Sequence, residues 1–560
     1  MGPPLALTDV GQAFQEHEVI LTGASGFLGK VVLALILDRF PRLKHLHILL
    51  RPRGDVSAEE RFLTETLPSP ALKAVVEKRG RDFVRERITV WAGDIAQPDL
   101  GLGAATAERL SGRVGLIINC AGSVEFFPPL DVSFSSNVDG VEHVVALAKS
   151  LGSKLLHVST CYVSGPADGL VEETEPIVGF YPRRRGPDDS SFNHVEEIRY
   201  ARDRIRQIYE SAYGSAEPSS AGKLGAADEA QRRKDVIQRL MALGRQRAEH
   251  WGWVNTYTYA KSLGEQIIAA EPGLDYAIVR PAIVESALEF PFPGWIEGGR
   301  TAAPLILMAL GGLKDWPMRQ DIPLEVVPVD LVAAAIVVVG GLLLDGRHEP
   351  VYQLGTADVN PILLGPLVNL LDAESRRRRA EAQNRDRNGA GHETGVEPRN
   401  GNGRAAGIPS FISGLVGARA TGRVRFVTAE EARTRRESMQ NRINRAQSLI
   451  GSVKGMLKAV RLPGTESLAG LSTALRTMGL QASFREQTLD QYLPFIRDNR
   501  YIFESENIRR AYTLISERER ELLPWNPESI DWKAYWVENQ IPGVERWVQP
   551  EAVKNWTFRI

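Results

Sequence analysis

Apolar residues cluster in short runs along the first third of the chain, and polar stretches with helical spacing separate them. The runs are rich in β-branched residues and hold almost no charge, as strands buried on both faces do. Strands that alternate with helices predict an α/β fold with a doubly wound parallel sheet of the Rossmann type. The predicted strands are 18–22, 45–50, 88–94, 114–119 and 154–159, followed by 276–280 and 350–355, and the first predicted helix is 27–40.

A long polar stretch, about residues 165–250, separates the fifth and sixth predicted strands. It contains "EEIRYARDRIRQIYESAY" and "DEAQRRKDVIQRLMALGRQRAEH", in which apolar residues recur at helical spacing. A crossover between parallel strands needs far fewer residues. We therefore predict a helical insert that covers one face of the sheet domain.

Residues 373–408 are rich in Arg, Asn and Gly and poor in apolar side chains. Such a composition cannot bury a core and predicts a flexible linker, whose basic start we interpret as a solvated flank. The sequence therefore predicts a sheet domain at 13–372, the linker at 373–408 and a mainly helical C-terminal domain at 409–560.

Composition narrows the function classes. A chain of 560 residues with a net charge of -1 exceeds a single core and has no global field that would attract nucleic acid. Its two cysteines, Cys120 and Cys161, lack CxxC spacing, so we expect a reducing cytoplasm and neither a disulfide framework nor a metal site. The longest apolar run, "LVAAAIVVVGGLLL", falls short of the roughly 20 residues of a membrane span and predicts a buried helix.

The first predicted strand runs into a glycine-rich loop, "ILTGASGFLGKVV", which opens the first helix. Gly23, Gly26 and Gly29 fit the spacing of dinucleotide-binding loops. Glycines let the backbone approach a pyrophosphate, and the helix start offers N–H donors and the positive end of its dipole. Because the strand, loop and helix follow one another in the required order, we predict a dinucleotide site here.

The second predicted strand indicates which dinucleotide is bound. NAD-binding proteins usually carry an acidic residue there, whereas this chain has Arg51 and Arg53 in "HILLRPRG". Guanidinium groups suit the 2′-phosphate of NADP(H), so we predict NADPH as the cofactor. Asp94 ends the third strand and is a candidate for the adenine. The further predicted cofactor contacts are Thr22, Ser25, Phe27, Leu28, Ile95, Cys120, Ala121, Gly122, Arg280, Pro281 and Ile283.

The stretch "NTYTYAKSLGE" holds two tyrosines before a lysine. Tyr257 stands four residues before Lys261 and shares its helix face, whereas Tyr259, two residues before it, points elsewhere. Of the two tyrosines, only Tyr257 can therefore act together with Lys261, and we expect Tyr259 to be a packing residue. In the short-chain dehydrogenases, which this stretch resembles, a tyrosine and a lysine at this spacing are the acid–base pair. A neighbouring ammonium favours the phenolate, so we expect Lys261 to lower the pKa of Tyr257.

The glycine loop and the Tyr-x-x-x-Lys spacing resemble those of extended short-chain dehydrogenases. That resemblance implies a catalytic hydroxyl after the fifth strand, in "HVSTCYVSG", where Thr160 matches the family pattern and Ser159 is the second choice. It also implies that Asn137 in "SSNVDG" supports the lysine through water, although a capping asparagine would have the same surroundings in sequence.

Several stretches together are similar to alcohol-forming fatty acyl-CoA reductases. They are the catalytic helix, "IVRPAIVESALEFPFPGWIEG", "IPLEVVPVDLVAAAI" and "YQLGTADVNP", while "ESIDWKAYWVENQIPGVERWVQP" resembles the tail of bacterial members. Ala260 and Ala282 depart from the usual residues, and Phe290 is inserted in the "PFPGW" loop. That loop is either a rigid turn packed by Trp295 or one wall of a substrate tunnel.

The resemblance implies a reaction. NADPH would reduce a long-chain acyl-CoA, or the acyl-carrier-protein thioester, to an aldehyde and then to a primary alcohol at the same site. Thr160 and Tyr257 would hydrogen-bond the oxyanion, and Tyr257 would donate the proton.

Three alternatives remain open from the sequence. A reductase that stops at the aldehyde would share every motif. A sugar-nucleotide epimerase or dehydratase would share the catalytic residues but normally holds NAD(H), which the arginines disfavour. A non-enzymatic NADP-binding sensor would usually lose the Tyr-Lys pair.

One C-terminal stretch fits a lipid substrate. In "NRINRAQSLIGSVKGMLKAVRL" apolar residues recur every three or four positions, and basic residues occur without any acidic residue. Such a helix is a candidate for peripheral membrane contact or for the phosphates of CoA, although most helices of this kind pack on a core.

Overall fold

A parallel sheet of seven strands organises the first compact unit of the computed structural model, in the order β11-β7-β5-β4-β1-β2-β3. The structure describes residues 7–174, 176–186, 188–214, 226–299, 301–389, 423–435 and 486–550, with scattered residues between 437 and 448. The sheet strands are β1 (Glu18–Thr22), β2 (His45–Leu50), β3 (Ile88–Ala92), β4 (Val114–Asn119), β5 (Lys154–Val158), β7 (Tyr276–Pro281) and β11 (Val351–Leu354).

The chain leaves β1 towards β2 and β3 on one side and returns to β4 on the other, so the strand order reverses beside β1. In such sheets the ligand lies at the carboxyl ends of the strands at this switch point. The six shorter strands are β6 (Asp168–Val171), β8 (Ile283–Glu285), β9 (Asp315–Trp316), β10 (Val326–Pro328), β12 (Arg425–Phe426) and β13 (Arg500–Phe503). The predicted Rossmann-type fold is confirmed.

Helices cover both faces of the sheet. In the first part of the chain they are α1 (Val10–Glu16), α2 (Phe27–Arg39), α3 (Ala58–Arg61), α4 (Pro70–Arg79), α5 (Arg81–Arg87), α6 (Ala104–Leu110), α7 (Leu130–Asn137) and α8 (Asp139–Leu151). After β5 follow α9 (His194–Tyr213), α10 (Ala226–Trp251), α11 (Thr256–Ala269), α12 (Ala303–Leu310), α13 (Val329–Asp345) and α14 (Leu364–Gly389). The last described helices are α15 (Glu506–Thr513), α16 (Glu517–Leu522), α17 (Trp532–Ala534) and α18 (Ile541–Gly543).

The two faces bury different apolar surfaces. On one face α13 packs against α2, α1 and the middle of the sheet, and its residues from 329 to 343 are all buried, as the apolar run predicts. On the other face α8 and α11 lie against β4, β5 and β7 over a core that includes Ile117, Val144 and Ile278. Among the described helices, none combines the length and the hydropathy that a membrane crossing requires.

The predicted helical insert contains α9 and α10, which pack on α7 and α11. Their apolar stripes share a core with α11 that includes Ile198, Leu240, Trp253, Tyr259 and Leu263. The insert therefore supports the predicted acid–base pair from the side that faces away from the sheet.

The region after α13 differs from the predicted boundaries. Helix α14 continues to Gly389, through the start of the range predicted as a flexible linker, while 390–408 lie outside the described residues. The arginines that composition marked as a solvated flank pair along the helix with acids one turn away, such as Arg377 with Glu374 at 2.6 Å and Arg376 with Asp372 at 3.3 Å. Such pairs stabilise a helix.

Residues 501–543, predicted within a separate C-terminal domain, belong to the first compact unit, which is Met1–Thr301, Glu325–Pro361 and Tyr501–Gly543. Two buried carboxylates bind this segment. Glu325 accepts backbone N–H groups of Thr356 at 3.0 Å and Phe503 at 2.7 Å, and Glu173 accepts that of Asn507 at 2.8 Å.

The second compact unit is Ala302–Leu324, Ile362–Arg500 and Val544–Ile560. Within it α12 packs on α14, β9 pairs with β12, and Lys314 forms an ion pair with Asp372 at 2.5 Å. Most of the basic amphipathic stretch, residues 441–462, lies outside the described residues.

Candidate active site

The glycine loop lies at the switch point, between the end of β4 and the start of α2. Gly23 has φ +72°, and a Cβ there would lie 2.7 Å from the backbone of Cys120 and Ala121. A Cβ on Gly29 would lie 2.2 Å from the carbonyl oxygen of Gly23. Gly26 caps α2, so the helix begins with its N–H groups directed along the loop. These residues form the close-fitting, side-chain-free cradle that a dinucleotide pyrophosphate requires.

A row of buried polar side chains fixes the strand ends beneath the loop. The Thr22 hydroxyl donates to Asn119 Oδ1 at 2.6 Å and accepts from the Ala121 N–H at 3.3 Å. Asn119 Nδ2 lies 3.0 Å from His157 Nδ1. The Thr22 side chain therefore holds the backbone of Ala121 beside the glycine loop. In the glycine loop Ser25, Phe27 and Leu28 are part-buried.

The arginines after β2 line a cavity of about 570 Å³ with Asp94. Arg51 is exposed, with its nearest carboxylate, Asp94, at 3.8 Å, and Arg53 pairs with Glu65 at 3.0 Å. The sequence prediction did not include Arg61, which also lines the cavity and is nearly buried. Only its position one turn before Glu65 in "AEERFLTET" could have suggested it, and that spacing is common on ordinary helices.

The predicted cofactor residues after β3 form hydrogen bonds within the protein, and Cys120 after β4 is a buried thiol. Asp94 Oδ1 accepts from the Ala96 N–H at 3.0 Å, and the buried Ile95 accepts from His143 Nδ1 at 2.9 Å. Burial raises the pKa of the Cys120 thiol to about 12, so this thiol is not a nucleophile at neutral pH.

Gly122 follows β4 and lies where the predicted catalytic side chains approach the predicted cofactor site. A Cβ there would lie 2.7 Å from Asn137 Oδ1 and 3.0 Å from Lys261 Nζ. Asn137, at the end of α7, donates from Nδ2 to the Ser123 carbonyl at 3.0 Å and accepts the Ser123 N–H at 3.2 Å. Asn137 is thus held by backbone beside the lysine, where the resemblance places it.

Tyr257 and Lys261 lie on α11, which Asn255 caps by accepting the Thr258 N–H at 2.8 Å. The Lys261 ammonium donates to the carbonyl of Val158, at the end of β5, at 3.0 Å. The Thr160 side chain lies close to the Tyr257 phenol and favours its ionised form. The structure therefore brings the tyrosine, the lysine and the threonine together at the carboxyl ends of β4 and β5.

The expected lowering of the Tyr257 pKa is wrong. Burial raises the pKa of Tyr257 to about 12, since it disfavours the phenolate; the Thr160 side chain opposes this rise, and the charge of Glu265 adds to it. Burial also lowers the pKa of Lys261 to about 8, and Glu265 opposes that shift. The phenol is therefore fully protonated at neutral pH and is an acid rather than a base.

Tyr259 has a different environment from Tyr257, as helical spacing predicts. It is fully buried, its hydroxyl donates to Glu197 Oε1 at 2.5 Å, and its ring packs against Trp253 and Phe134. Tyr259 is a packing residue.

The two candidate hydroxyls after β5 also differ. Thr160 approaches the Tyr257 phenol and lies 3.4 Å from the carbonyl of Pro281. The Ser159 hydroxyl is buried and has no hydrogen-bond partner within the described part of the chain, while the Ser159 N–H donates to Val279 at 2.8 Å. The geometry favours Thr160.

The Arg-Pro end of β7 contacts protein groups. The Arg280 guanidinium, predicted to touch the cofactor, is paired with Glu265 at 2.5 Å in the interior. Ile283, in β8, donates its N–H to Glu325 at 3.0 Å.

The "PFPGW" loop borders the glycine loop. The rings of Trp295 and Phe27 lie 5.1 Å apart, and the buried Lys30 donates to both carboxylate oxygens of Glu297 at 2.6 and 2.7 Å. The Asp330 carboxylate accepts the N–H groups of residues 288–290 at 2.8–2.9 Å. The loop is a rigid turn packed by Trp295 against the start of α2. Lys30 was not predicted, although it directly follows the glycine motif.

Comparisons with known proteins identify the family of this chain. The model of an NAD-binding family described as male sterility protein matches residues 21–336. The chloroplastic fatty acyl-CoA reductase 2 of Arabidopsis thaliana is 31% identical over 369 residues, covering 64% of this chain and 57% of that protein. The alcohol-forming fatty acyl-CoA reductase of Simmondsia chinensis is 30% identical over 360 residues, covering 62% of this chain and 68% of that protein.

Solved structures with a similar fold are more distant in sequence. The reductase domain of a non-ribosomal peptide synthetase from Mycobacterium tuberculosis is 17% identical, with 96% of both chains covered and a TM-score of 0.45. The terminal reductase domain of the myxalamid biosynthetic pathway is 20% identical, with 66% of this chain and 71% of that chain covered and a TM-score of 0.42.

Because the family model matches more than half of the residues of this chain, the chain belongs to the NAD-binding male sterility protein family.

Proposed function

We propose that the protein reduces long-chain acyl-CoA thioesters with NADPH, first to the aldehyde and then to the primary alcohol. The arrangement that supports this proposal is the meeting of Thr160, Tyr257 and Lys261 beside Gly122, at the edge of the sheet that carries the glycine loop. The family resemblance and the names of the relatives supply the substrate class.

NADPH, when bound, supplies the hydride. The hydroxyls of Thr160 and Tyr257 would donate hydrogen bonds to the oxygen of the substrate carbonyl and would stabilise the negative charge that develops there. In the first reduction the hydride would add to the thioester carbon and the carbon–sulfur bond would then break. The leaving CoA thiolate would take the proton of Tyr257, which gives the aldehyde and the free thiol, and the tyrosine would regain a proton from solvent. In the second reduction Tyr257 donates its proton to the oxyanion, giving the alcohol.

The raised pKa of Tyr257 suits this role, because a phenol with a pKa of about 12 is always protonated at neutral pH and can donate. Lys261 is charged up to a pH near its pKa of about 8 and favours the tyrosinate that is left. We expect turnover to fall as the pH rises through about 8, since Lys261 then loses its proton.

The stoichiometry of the reaction tests the proposal. Purified protein would be incubated with NADPH and a long-chain acyl-CoA, and the NADPH oxidised would be counted per free thiol released. A ratio of about two with alcohol as the product supports both reductions. A ratio of about one with accumulating aldehyde would replace the alcohol-forming reaction by the aldehyde-forming one. Binding of NADPH without turnover would contradict the proposal.

The choice of NADPH rests on the cavity lined by Arg51, Arg53 and Arg61. We expect Arg51→Gln to raise the KM for NADPH about 10-fold or more, because a charged hydrogen bond to phosphate contributes roughly 1.5–3 kcal/mol. The KM for NADH, which lacks the 2′-phosphate, should stay unchanged. Steady-state kinetics with both cofactors measure the difference.

Arg233→Gln is the matched control, since Arg233 is an equally exposed arginine, on α10, outside the cavity. An equal loss of affinity for both cofactors in Arg51→Gln would show that Arg51 does not contact the 2′-phosphate.

A further inference from the structure

A buried ion pair stands directly behind the proposed proton-transfer residues. Arg280 Nε donates to Glu265 Oε1 at 2.9 Å, and Arg280 Nη2 donates to Glu265 Oε2 at 2.5 Å. Glu265 is 1% exposed and Arg280 is 8% exposed. Taking two charges out of water costs several kcal/mol, and apolar residues of similar size often stabilise a fold as well. The pair therefore calls for a role beyond stability.

Helical spacing relates this pair to the catalytic groups. Tyr257, Lys261 and Glu265 follow one another at intervals of four on α11 and so share one face of the helix. The charge of Glu265 acts on both other groups, raising the pKa of Lys261 and that of Tyr257.

The other elements packed against Lys261 supply no second negative charge. Cys120, at the end of β4, has its pKa raised to about 12 by burial and is a neutral thiol. His157, on β5, has its pKa lowered well below the usual value by burial and is neutral. Within the described part of the chain, Glu265 is the ionised acid that acts on Lys261, whose own burial favours the uncharged amine.

Arg280 connects the helix to the loop that carries Thr160. Its guanidinium holds Glu265, while its carbonyl accepts from Cys161 Sγ at 2.7 Å. The next carbonyl, that of Pro281, lies 3.4 Å from Thr160 Oγ1. One strand end thus orients both the acid on α11 and the hydroxyl after β5.

We propose that Glu265 and Arg280 are positioning residues for the proton-transfer site, in which Glu265 keeps Lys261 protonated in the protein interior and Arg280 fixes Glu265 relative to the Thr160 loop. This assignment rests on the proposed function for its role in turnover. Its physical content, the charge state of Lys261, is independent of that function.

The test measures the titration of Lys261 by NMR of the full chain labelled with [ε-¹³C]lysine, with the Lys261 signal assigned by its loss in Lys261→Met. In Glu265→Gln the titration should move about one unit or more to lower pH, because a nearby opposite charge shifts a pKa by about 1–3 units. Glu265→Gln with Arg280→Met, which leaves neither charge buried alone, should give the same shift. Glu265→Asp should restore most of it.

Glu271→Gln is the matched control, since it removes a carboxylate paired with Lys149 on the surface just after α11. It should leave the Lys261 titration in place. Melting curves and NADPH titrations show that each variant is folded.

An unmoved Lys261 titration in the folded double variant would overturn the proposal, because Glu265 would then be a structural residue only. Where the protein turns over acyl-CoA, the alkaline limb of kcat should move to lower pH together with the NMR titration. A shifted titration in a protein that never reduces acyl-CoA would refute the proposed function and leave the Glu265 assignment standing.

Discussion

Replacing Tyr257 by phenylalanine is expected to lower kcat about 10²–10⁴-fold, the range that a positioned proton donor contributes. The substitution removes the hydroxyl near Thr160 and keeps the ring in its place on α11. The glycine loop and the arginine cavity are untouched. The dissociation constant for NADPH, measured by fluorescence titration, should therefore stay within about twofold of the original value.

Tyr259→Phe is a closely matched control for Tyr257→Phe. It removes a hydroxyl from the same helix, but that hydroxyl bonds Glu197, which keeps its ion pair with Arg247 at 2.6 Å. We expect a loss of stability of roughly 1.5–3 kcal/mol, the contribution of a hydrogen bond to a charged group, and turnover close to the original. Unchanged turnover in Tyr257→Phe, or an equal loss in both variants, would refute Tyr257 as the proton donor.

The sheet could be predicted because its strands are buried on both faces. A run such as "VGLIIN" has no polar alternation, so its length and β-branched residues identify a strand of a parallel sheet. The glycine loop, the arginines after β2 and the Tyr-Lys pair could be predicted for a different reason. Each is defined by residues that are only a few positions apart in the sequence. Their meeting at one sheet edge follows from the parallel topology.

The placement of residues 501–543 depends on contacts that no local pattern records. Glu325 precedes Phe503 by 178 positions, yet its carboxylate accepts a hydrogen bond from the Phe503 N–H. In sequence, Glu325 is one of two acids within "IPLEVVPVD". Burial raises its pKa to about 7 in spite of its backbone hydrogen bonds. The helical start of the predicted linker was missed because the prediction used the number of arginines there. It did not use the spacing of three residues that lets Arg377 pair with Glu374 on a helix.

Within the site, the sequence could not predict partners or the sign of a pKa shift. Arg280 lies at the end of β7, where a cofactor ligand is expected, yet the side chain that it meets, Glu265, lies 15 positions earlier on another element. The Tyr257 pKa depends on how much water the fold removes, and that burial outweighs the favourable neighbours expected from spacing. The partner of Arg280 and the pKa of Tyr257 both depend on how side chains pack in the folded protein.

The close fit of the glycine loop gives the second large prediction. Gly29→Ala places a Cβ 2.2 Å from the Gly23 carbonyl oxygen and 3.0 Å from Ala24 Cα, so the loop must move away from α2. We expect a destabilisation of about 3 kcal/mol, at the upper end of the usual cost of overpacking, and a loss of NADPH affinity of more than about 100-fold. Thermal unfolding and fluorescence titration measure the two effects separately.

Gly26→Ala separates fold from binding within the same loop. A Cβ on Gly26 approaches only the Gly23 carbonyl, at 3.3 Å, and the backbone at Gly26, with φ −82°, accepts alanine. The melting temperature should therefore stay near that of the unchanged protein, while the added methyl group at the cap of α2 weakens NADPH binding. If Gly29→Ala bound NADPH with full affinity, the pyrophosphate would have to lie elsewhere, because the steric conflict falls on the loop that we assign to it.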